Sequence, residues 1–216
     1  MDRYATSEDE FEPGSDGRVL RNRRGIVEPA EVGRIESALL ALAQSWSFGR
    51  IAPDTTLSVA LVRELHRRWL ASLYDFAGEL RSVDLSKGRV RFAPVVYLSS
   101  TLRALDDTMT AYSPCAGMSE ARLIEAIATV HIELVLSHPF REGNGRLARW
   151  VADLMALQAG ERPLDWGFPE NVEVRREDYF AALRRGFAGD VKPLGLLVAQ
   201  ALDRSHRSGA DPFAPP

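Results

Sequence analysis

Apolar residues recur at helical spacing through most of the chain. Val32, Ile35, Leu39, Leu42 and Trp46 form one stripe, entered through Pro29, whose fixed φ suits a first helical turn. A second stripe, Leu61, Val62, Leu65, Trp69 and Leu73, carries Arg63, Glu64, Arg67 and Arg68 on its opposite face and stops at Gly78. Leu98, Leu102, Leu105, Met109 and Tyr112 make a third, with Ser99 or Ser100 as the expected N-cap. From Leu123 to Ser137 the chain is apolar nearly all round, interrupted only by the charges of Glu125 and Glu133, which predicts a central buried helix. Arg146 to Gln158 reads as a helix closed by Gly160, and two further helical runs, 177–187 and 193–204, flank Gly189-Asp190. The expected fold class is all-α.

One segment breaks this pattern. Leu80 to Val95 alternates over short runs around Lys87-Gly88, the signature of a β-hairpin. An isolated hairpin is marginal by itself, so it is either propped against helices or kept for function. Residues 1–17 hold six acids against one base, with glycines and a proline, and are expected to be a disordered tail. Residues 205–216 are read as a second one, which leaves one domain over 18–204.

Composition narrows the function classes. The chain has 216 residues, 45% apolar and 26% charged, as in a globular domain with a full core. A net charge of −3 gives no basic field for nucleic acid or anionic membrane. Cys115 is the sole cysteine, which excludes an intrachain disulfide and a cysteine metal site. No secretory leader and no run near the ~20 apolar residues of a bilayer span is visible, so the cytoplasm is the expected location.

The chemistry is concentrated in His138-Pro-Phe-Arg-Glu-Gly-Asn-Gly-Arg-Leu-Ala-Arg149. Polar residues here interrupt two apolar helices at their junction. A glycine turn, unpaired N–H groups and the positive end of a helix dipole together make an anion site. Arg146 and Arg149, at i and i+3, share one side of the first turn; elsewhere such a pair is often only a solvated face. His131, Glu133 and His138 lack the i, i+4 pairing of a helical zinc site, and His131 reads as a core histidine.

This segment resembles the signature of the Fic family, His-x-Phe-x-(Asp/Glu)-Gly-Asn-Gly-Arg-x-x-Arg, at every fixed position. Eight fixed positions make a chance match on the order of 10⁻¹⁰ per window, far rarer than ordinary motif noise. Leu73-Tyr-Asp-Phe-Ala-Gly78, Arg81 and Leu85-Ser-Lys-Gly88 are similar to the stretch leading into the family's flap, and Tyr179, Ala182, Leu183 and Gly189-Asp190 to its closing helices.

The resemblance implies an all-α Fic fold with a small β-hairpin flap over the active site. It implies transfer of AMP from ATP, with Mg²⁺, to a Ser, Thr or Tyr hydroxyl of a target protein, in the manner of a bacterial toxin-like enzyme. His138 would be the general base, since an imidazole near pKa ~6.5 suits proton abstraction at neutral pH. Glu142 would ligate Mg²⁺; otherwise it is a dipole-satisfying acid at a helix start. Gly143, Asn144 and Gly145 would offer N–H groups to the phosphates, Arg146 would meet the β-phosphate and Arg149 the γ-phosphate. Phe140 is expected to anchor the loop in the core. Ser86, Lys87, Gly88, Arg89, Val90, Arg91 and Phe92 would form the docking flap, pairing with an extended target segment by strand addition.

The rivals are phosphate transfer of the Doc type, against which Gly145 argues because that branch has lysine there, and a non-catalytic interaction module. Many Fic proteins carry an inhibitory helix, (Ser/Thr)-x-x-x-Glu-(Gly/Asn), whose Glu pairs with the motif's second arginine. Here Glu precedes Gly or Asn only at Glu142 and Glu170, with His138 and Trp166 four residues upstream, so neither fits. Inhibition is therefore expected in trans, from a small antitoxin-like protein whose Glu would meet Arg149, or by homo-oligomerisation.

Overall fold

The computed structural model describes residues 10–87, 90–167 and 172–207. Among them run seven α-helices: α1 (Pro29–Phe48), α2 (Val59–Leu70), α3 (Leu98–Tyr112), α4 (Glu120–Ser137), α5 (Asn144–Gln158), α6 (Val172–Phe187) and α7 (Lys192–Arg207). No helix among the described residues is long and apolar enough to cross a membrane.

Helix α4 is the axis of the fold. Its sequence is apolar nearly all round because α3, α5, α6 and α7 pack on it from different sides. Ser119 caps it by accepting from the Arg122 N–H at 3.4 Å, and Ser58 caps α2 in the same way from Leu61 at 3.2 Å. Helix α3 starts differently from the expectation. Its cap is Tyr97, at the end of a 3-10 turn over Val95–Tyr97, and Ser100 instead donates its hydroxyl to the Tyr97 carbonyl. Helix α2 ends at Leu70 rather than near Gly78; the chain then turns, with Leu73 and Tyr74 still buried.

Helix α1 buries a face shifted from its apolar stripe: Ile35 and Leu39 pack on the core in part. Val32, Glu36, Ala43 and Ser47 are inside, whereas Leu42 is 69% exposed. Two polar residues therefore sit on the buried face, where each finds a partner.

The N-terminal segment also departs from the expectation. Residues 1–9 lie outside the described residues, but 10–17 are folded. Glu12 N–H donates to the Val19 carbonyl at 2.8 Å, the Glu12 carboxylate accepts from Asn22 N–H at 2.7 Å, and Ser15 is buried. Glu10 and Glu12, two of the acids that suggested a solvated tail, have specific partners in Arg141 and Asn22 and order this part of the chain. At the other end Ser205–Arg207 belong to α7, with Ser205 buried; residues 208–216 lie outside the described set.

Between α2 and α3 two short strands, β1 (Ser86–Lys87) and β2 (Val90–Arg91), pair antiparallel with Ser86 opposite Arg91 and Lys87 opposite Val90. Gly88 and Arg89 lie outside the described residues. The base of the ribbon is fixed to the helices: Phe92 N–H donates to Leu85 at 3.2 Å, and Ala93 N–H to Leu136 of α4 at 3.1 Å.

Candidate active site

His138 stands where α4 ends. Its backbone is left-handed (φ 46°), which turns the chain sharply out of the helix, and its ring is buried. The C-terminal carbonyls of α4 need donors, and while Ala93 N–H serves Leu136, one side chain serves Ser137 and His138. Buried Arg81 donates through Nε to the His138 carbonyl at 2.7 Å and through Nη2 to Ser137 at 3.3 Å. The same guanidinium reaches the base of the ribbon, donating to Val83 at 2.7 Å and to Ala93. The Arg81 main-chain N–H also donates to the Pro139 carbonyl at 2.9 Å. Cation and helix C-terminus are electrostatically matched, so Arg81 clamps α4, the motif loop and the ribbon together. Burial lowers its pKa from the usual arginine value, opposed by Asp84.

A hydrogen bond and a stacked ring orient the His138 side chain. Nδ1 lies 3.0 Å from the Val135 carbonyl. A carbonyl can only accept, so Nδ1 carries the proton in the neutral ring and Nε2 is the basic nitrogen. Phe92 stacks on the ring at 3.5 Å between centroids and 15° between planes. Phe92 thus differs from its expected role as a docking residue. Its N–H is used by Leu85 and its side chain is packed on His138, so it presents neither to a passing target strand.

The loop after His138 is held from beneath. Phe140 is fully buried, as expected of an anchor, and stacks on His66 at 3.9 Å and 7°. Both His66 nitrogens are spent: Nδ1 accepts from Gly78 N–H at 2.8 Å, so Nε2 donates to the Glu142 carbonyl at 3.1 Å. Burial pushes the His66 pKa down to about 4, so this ring stays neutral at neutral pH. Asn144 closes the loop with two bonds to Phe140, accepting from its N–H at 2.9 Å and donating to its carbonyl at 2.7 Å. The Asn144 side chain is therefore a staple of the loop. Gly143 precedes α5 with φ 83°, and a Cβ there would lie 2.7 Å from Trp69. Gly145 has no such constraint; the nearest atom to its would-be Cβ is Arg149 Nη1 at 3.9 Å. Helix α5 opens without a side-chain N-cap, which leaves its first N–H groups to be met by a ligand or water.

The two arginines have different surroundings. Arg146 Nη2 meets Glu36 of α1 at 2.8 Å, and its Cζ lies 4.6 Å from the Trp69 ring centroid. Arg149 lies one turn on, with Cζ 5.9 Å from the Tyr179 ring. Tyr179 is buried and its hydroxyl is 2.7 Å from His131 Nε2. Burial, then the charge of Arg149, lowers the His131 pKa to about 3, which fits a neutral core histidine.

Glu142 is the motif's carboxylate. Its Oε1 accepts from Gly143 N–H at 3.0 Å and lies 3.6 Å from Arg146 Nη2. Among the described residues no group of three His, Cys, Asp or Glu is placed to hold a metal ion. A magnesium ion that arrives on a triphosphate needs only one or two protein carboxylates and keeps phosphate and water oxygens, so Glu142 suits that task.

Three positioning residues were not read as such from the sequence. His66, Arg81 and Glu36 act across 76, 57 and 110 residues, so local spacing does not reveal what they hold, although Arg81 stands in the stretch leading into the flap. The signal for Glu36 is a lone acid on the Val32–Ala43 face of α1.

Comparisons with known proteins point the same way. The chain is 28% identical over 183 residues to the protein adenylyltransferase VbhT of Bartonella schoenbuchensis, covering 83% of this chain and 38% of that much longer protein. It is 31% identical over 205 residues to "Probable protein adenylyltransferase y4lH" of Sinorhizobium fredii, covering 94% of this chain and 100% of that one. Among solved structures, the BepC effector of Bartonella tribocorum, crystallised with AMPPNP, superposes with a TM-score of 0.71 at 19% identity, over 90% of this chain and 96% of that one, which is a likeness of fold. The family model described as Fic/DOC matches residues 56–156, the span that runs from the approach to α2 through α5 and contains the whole His138–Arg149 loop. With a relative matched end to end and the loop intact at every fixed position, the chain belongs to the Fic/DOC family.

Proposed function

We propose that this chain is a protein adenylyltransferase, which moves AMP from ATP onto a hydroxyl of a target protein. The observation that carries this reading is the fixed tautomer of His138: with Nδ1–H tied to Val135, the lone pair lies on Nε2, as a general base requires. His138 Nε2 takes the hydroxyl proton as the target oxygen bonds to the α-phosphorus. The bond from that phosphorus to the α,β-bridging oxygen breaks, and pyrophosphate leaves with the electron pair. The main-chain N–H groups of Gly143, Asn144 and Gly145 and the guanidiniums of Arg146 and Arg149 offset the phosphate charge, with Arg146 toward the β- and Arg149 toward the γ-phosphate. Glu142 would hold Mg²⁺, which when bound draws charge from the phosphate oxygens and orients them.

The ribbon is the flap in this reading, and its register selects the edge available to a target. The Phe92-to-Leu85 bond makes 85/92 a hydrogen-bonded pair. By alternation 86/91 is a non-hydrogen-bonded pair, whose N–H and C=O groups point outward. Ser86 and Arg91 are therefore the docking residues for strand addition, with the Lys87–Val90 pair beyond them. Arg91→Pro is expected to lower target labelling about 2- to 10-fold, the worth of one lost hydrogen bond, while ATP binding is retained. Equal labelling by wild type and Arg91→Pro would remove this edge from the docking role.

The remaining elements are a toxin-like enzyme of the cytoplasm, held in check by a small antitoxin-like protein whose Glu meets Arg149, or by self-association. The primary test is intact-mass spectrometry of the protein after incubation with ATP and Mg²⁺; labelling a lysate with an alkyne-bearing ATP analogue then identifies the target. A gain of one adenylyl group is the expected result. A phosphoryl gain would indicate transfer of the Doc type instead, and no gain would leave a binding module.

A further inference from the structure

Glu36 is the most deeply placed carboxylate near the motif, and it lies in α1, outside the span matched by the family model. It is 1% exposed, so its charge must be met inside the protein. Oε1 accepts from the Tyr74 hydroxyl at 2.5 Å and Oε2 meets Arg146 Nη2 at 2.8 Å. Its carbonyl accepts from Trp69 Nε1 at 2.8 Å, and the Trp69 ring carries the Arg146 guanidinium on its face. The same Nη2 lies 3.6 Å from Glu142 Oε1. One guanidinium nitrogen thus sits between two carboxylates, nearer to the more buried one.

Two roles fit a carboxylate against a motif arginine. As a gate, Glu36 would have to release Arg146 when nucleotide binds. That would leave a fully buried carboxylate with Tyr74 as its remaining side-chain partner among those named, at the cost of an uncompensated buried charge. As a fixed strut, Glu36 holds Arg146 against Trp69 and keeps it from closing the gap to Glu142. Burial and geometry favour the strut.

We propose that Glu36 is a positioning residue for the metal-binding carboxylate: it retains Arg146 so that Glu142 stays open to the divalent cation that accompanies the nucleotide. This rests on the reading of Glu142 given above. Without the Glu36 charge, Arg146 is drawn onto Glu142, and the new ion pair competes with the cation for the same oxygens.

The test uses the full chain, AMPPNP and Mn²⁺ in place of Mg²⁺, with bound Mn²⁺ read by electron paramagnetic resonance. Glu36→Gln keeps the shape and removes the charge, and should raise the half-saturating Mn²⁺ concentration by about tenfold. Adding Arg146→Gln removes the competitor, so the double variant should match Arg146→Gln alone. Glu36→Asp, which keeps the charge but withdraws it by one methylene, should shift Mn²⁺ binding in the same direction, and it carries the test if Glu36→Gln does not fold. Mn²⁺ binding unchanged from wild type in a folded Glu36 variant overturns the proposal, as does a double variant that still binds more weakly than Arg146→Gln. Absence of Mn²⁺ binding in the wild type would overturn the Glu142 assignment itself, and this inference with it.

Discussion

His138→Ala is expected to lower AMP transfer by at least about 10²-fold while ATP affinity changes little, because a general base acts at the transition state rather than in ground-state binding. The structure adds a complication and a control. His138 sits at φ 46°, a conformation that alanine adopts at some cost, so a loss in the alanine variant mixes chemistry with backbone strain. Asparagine tolerates the left-handed region and cannot take up the proton. If the loss comes from the base, His138→Asn and His138→Ala should be equally slow, measured as single-turnover rates at saturating ATP. An asparagine variant that kept more than half the wild-type rate would remove His138 from the role. Expressed without an inhibitor, the wild type should be toxic or self-modifying, and either variant should relieve both.

The chemistry was legible in the sequence because it is local. Between His138 and Arg149 one loop and one helical turn carry a base, a carboxylate, a phosphate-sized turn and two cations, and spacing alone puts them on one side of a helix start. The all-α architecture was legible for the same reason: a helix such as α4 advertises its burial by losing its polar face. What holds the loop still was not legible. Arg81, His66 and Glu36 act through contacts with groups 57 to 110 residues away, which the spacing of residues along the chain does not reveal. Helix α1 shows why. The periodicity of its leucines pointed to Leu42, yet the helix turns toward the core the face bearing Glu36 and Ser47, because Arg146, Tyr74 and Trp150 satisfy them there. The acidic N-terminus misled in the same manner. Glu10 meets the buried Arg141 at 2.6 Å, so a charge that suggested solvent is a strap across the motif loop.

Gly143→Ala should lower both the stability of the fold and its affinity for nucleotide. Two penalties coincide there. At φ 83° an L side chain is strained by roughly 1–2 kcal/mol. In addition the new Cβ would fall 2.7 Å from Trp69 Cζ3 and 3.0 Å from Cη2, where relief requires the indole to move. Trp69 has nowhere to go: it is fully buried, its Nε1 is bonded to Glu36, and Arg146 lies on its face. Overpacking of that kind costs about 1–3 kcal/mol more. The sum, about 2–5 kcal/mol, corresponds to a fall in Tm of roughly 5–15 °C for a domain of this size. The cheaper escape is to shift the loop, which moves Glu142 and the N-terminus of α5, so nucleotide binding should fail even in the fraction that stays folded. Gly145→Ala is the matched control, since its Cβ meets only Arg149 Nη1 at 3.9 Å and alanine favours the helix. Thermal melts and AMPPNP titrations on the two variants should therefore diverge. If Gly143→Ala melts within about 2 °C of the wild type, the Trp69 ring is not the rigid floor of the phosphate loop, and the support for the site must lie elsewhere.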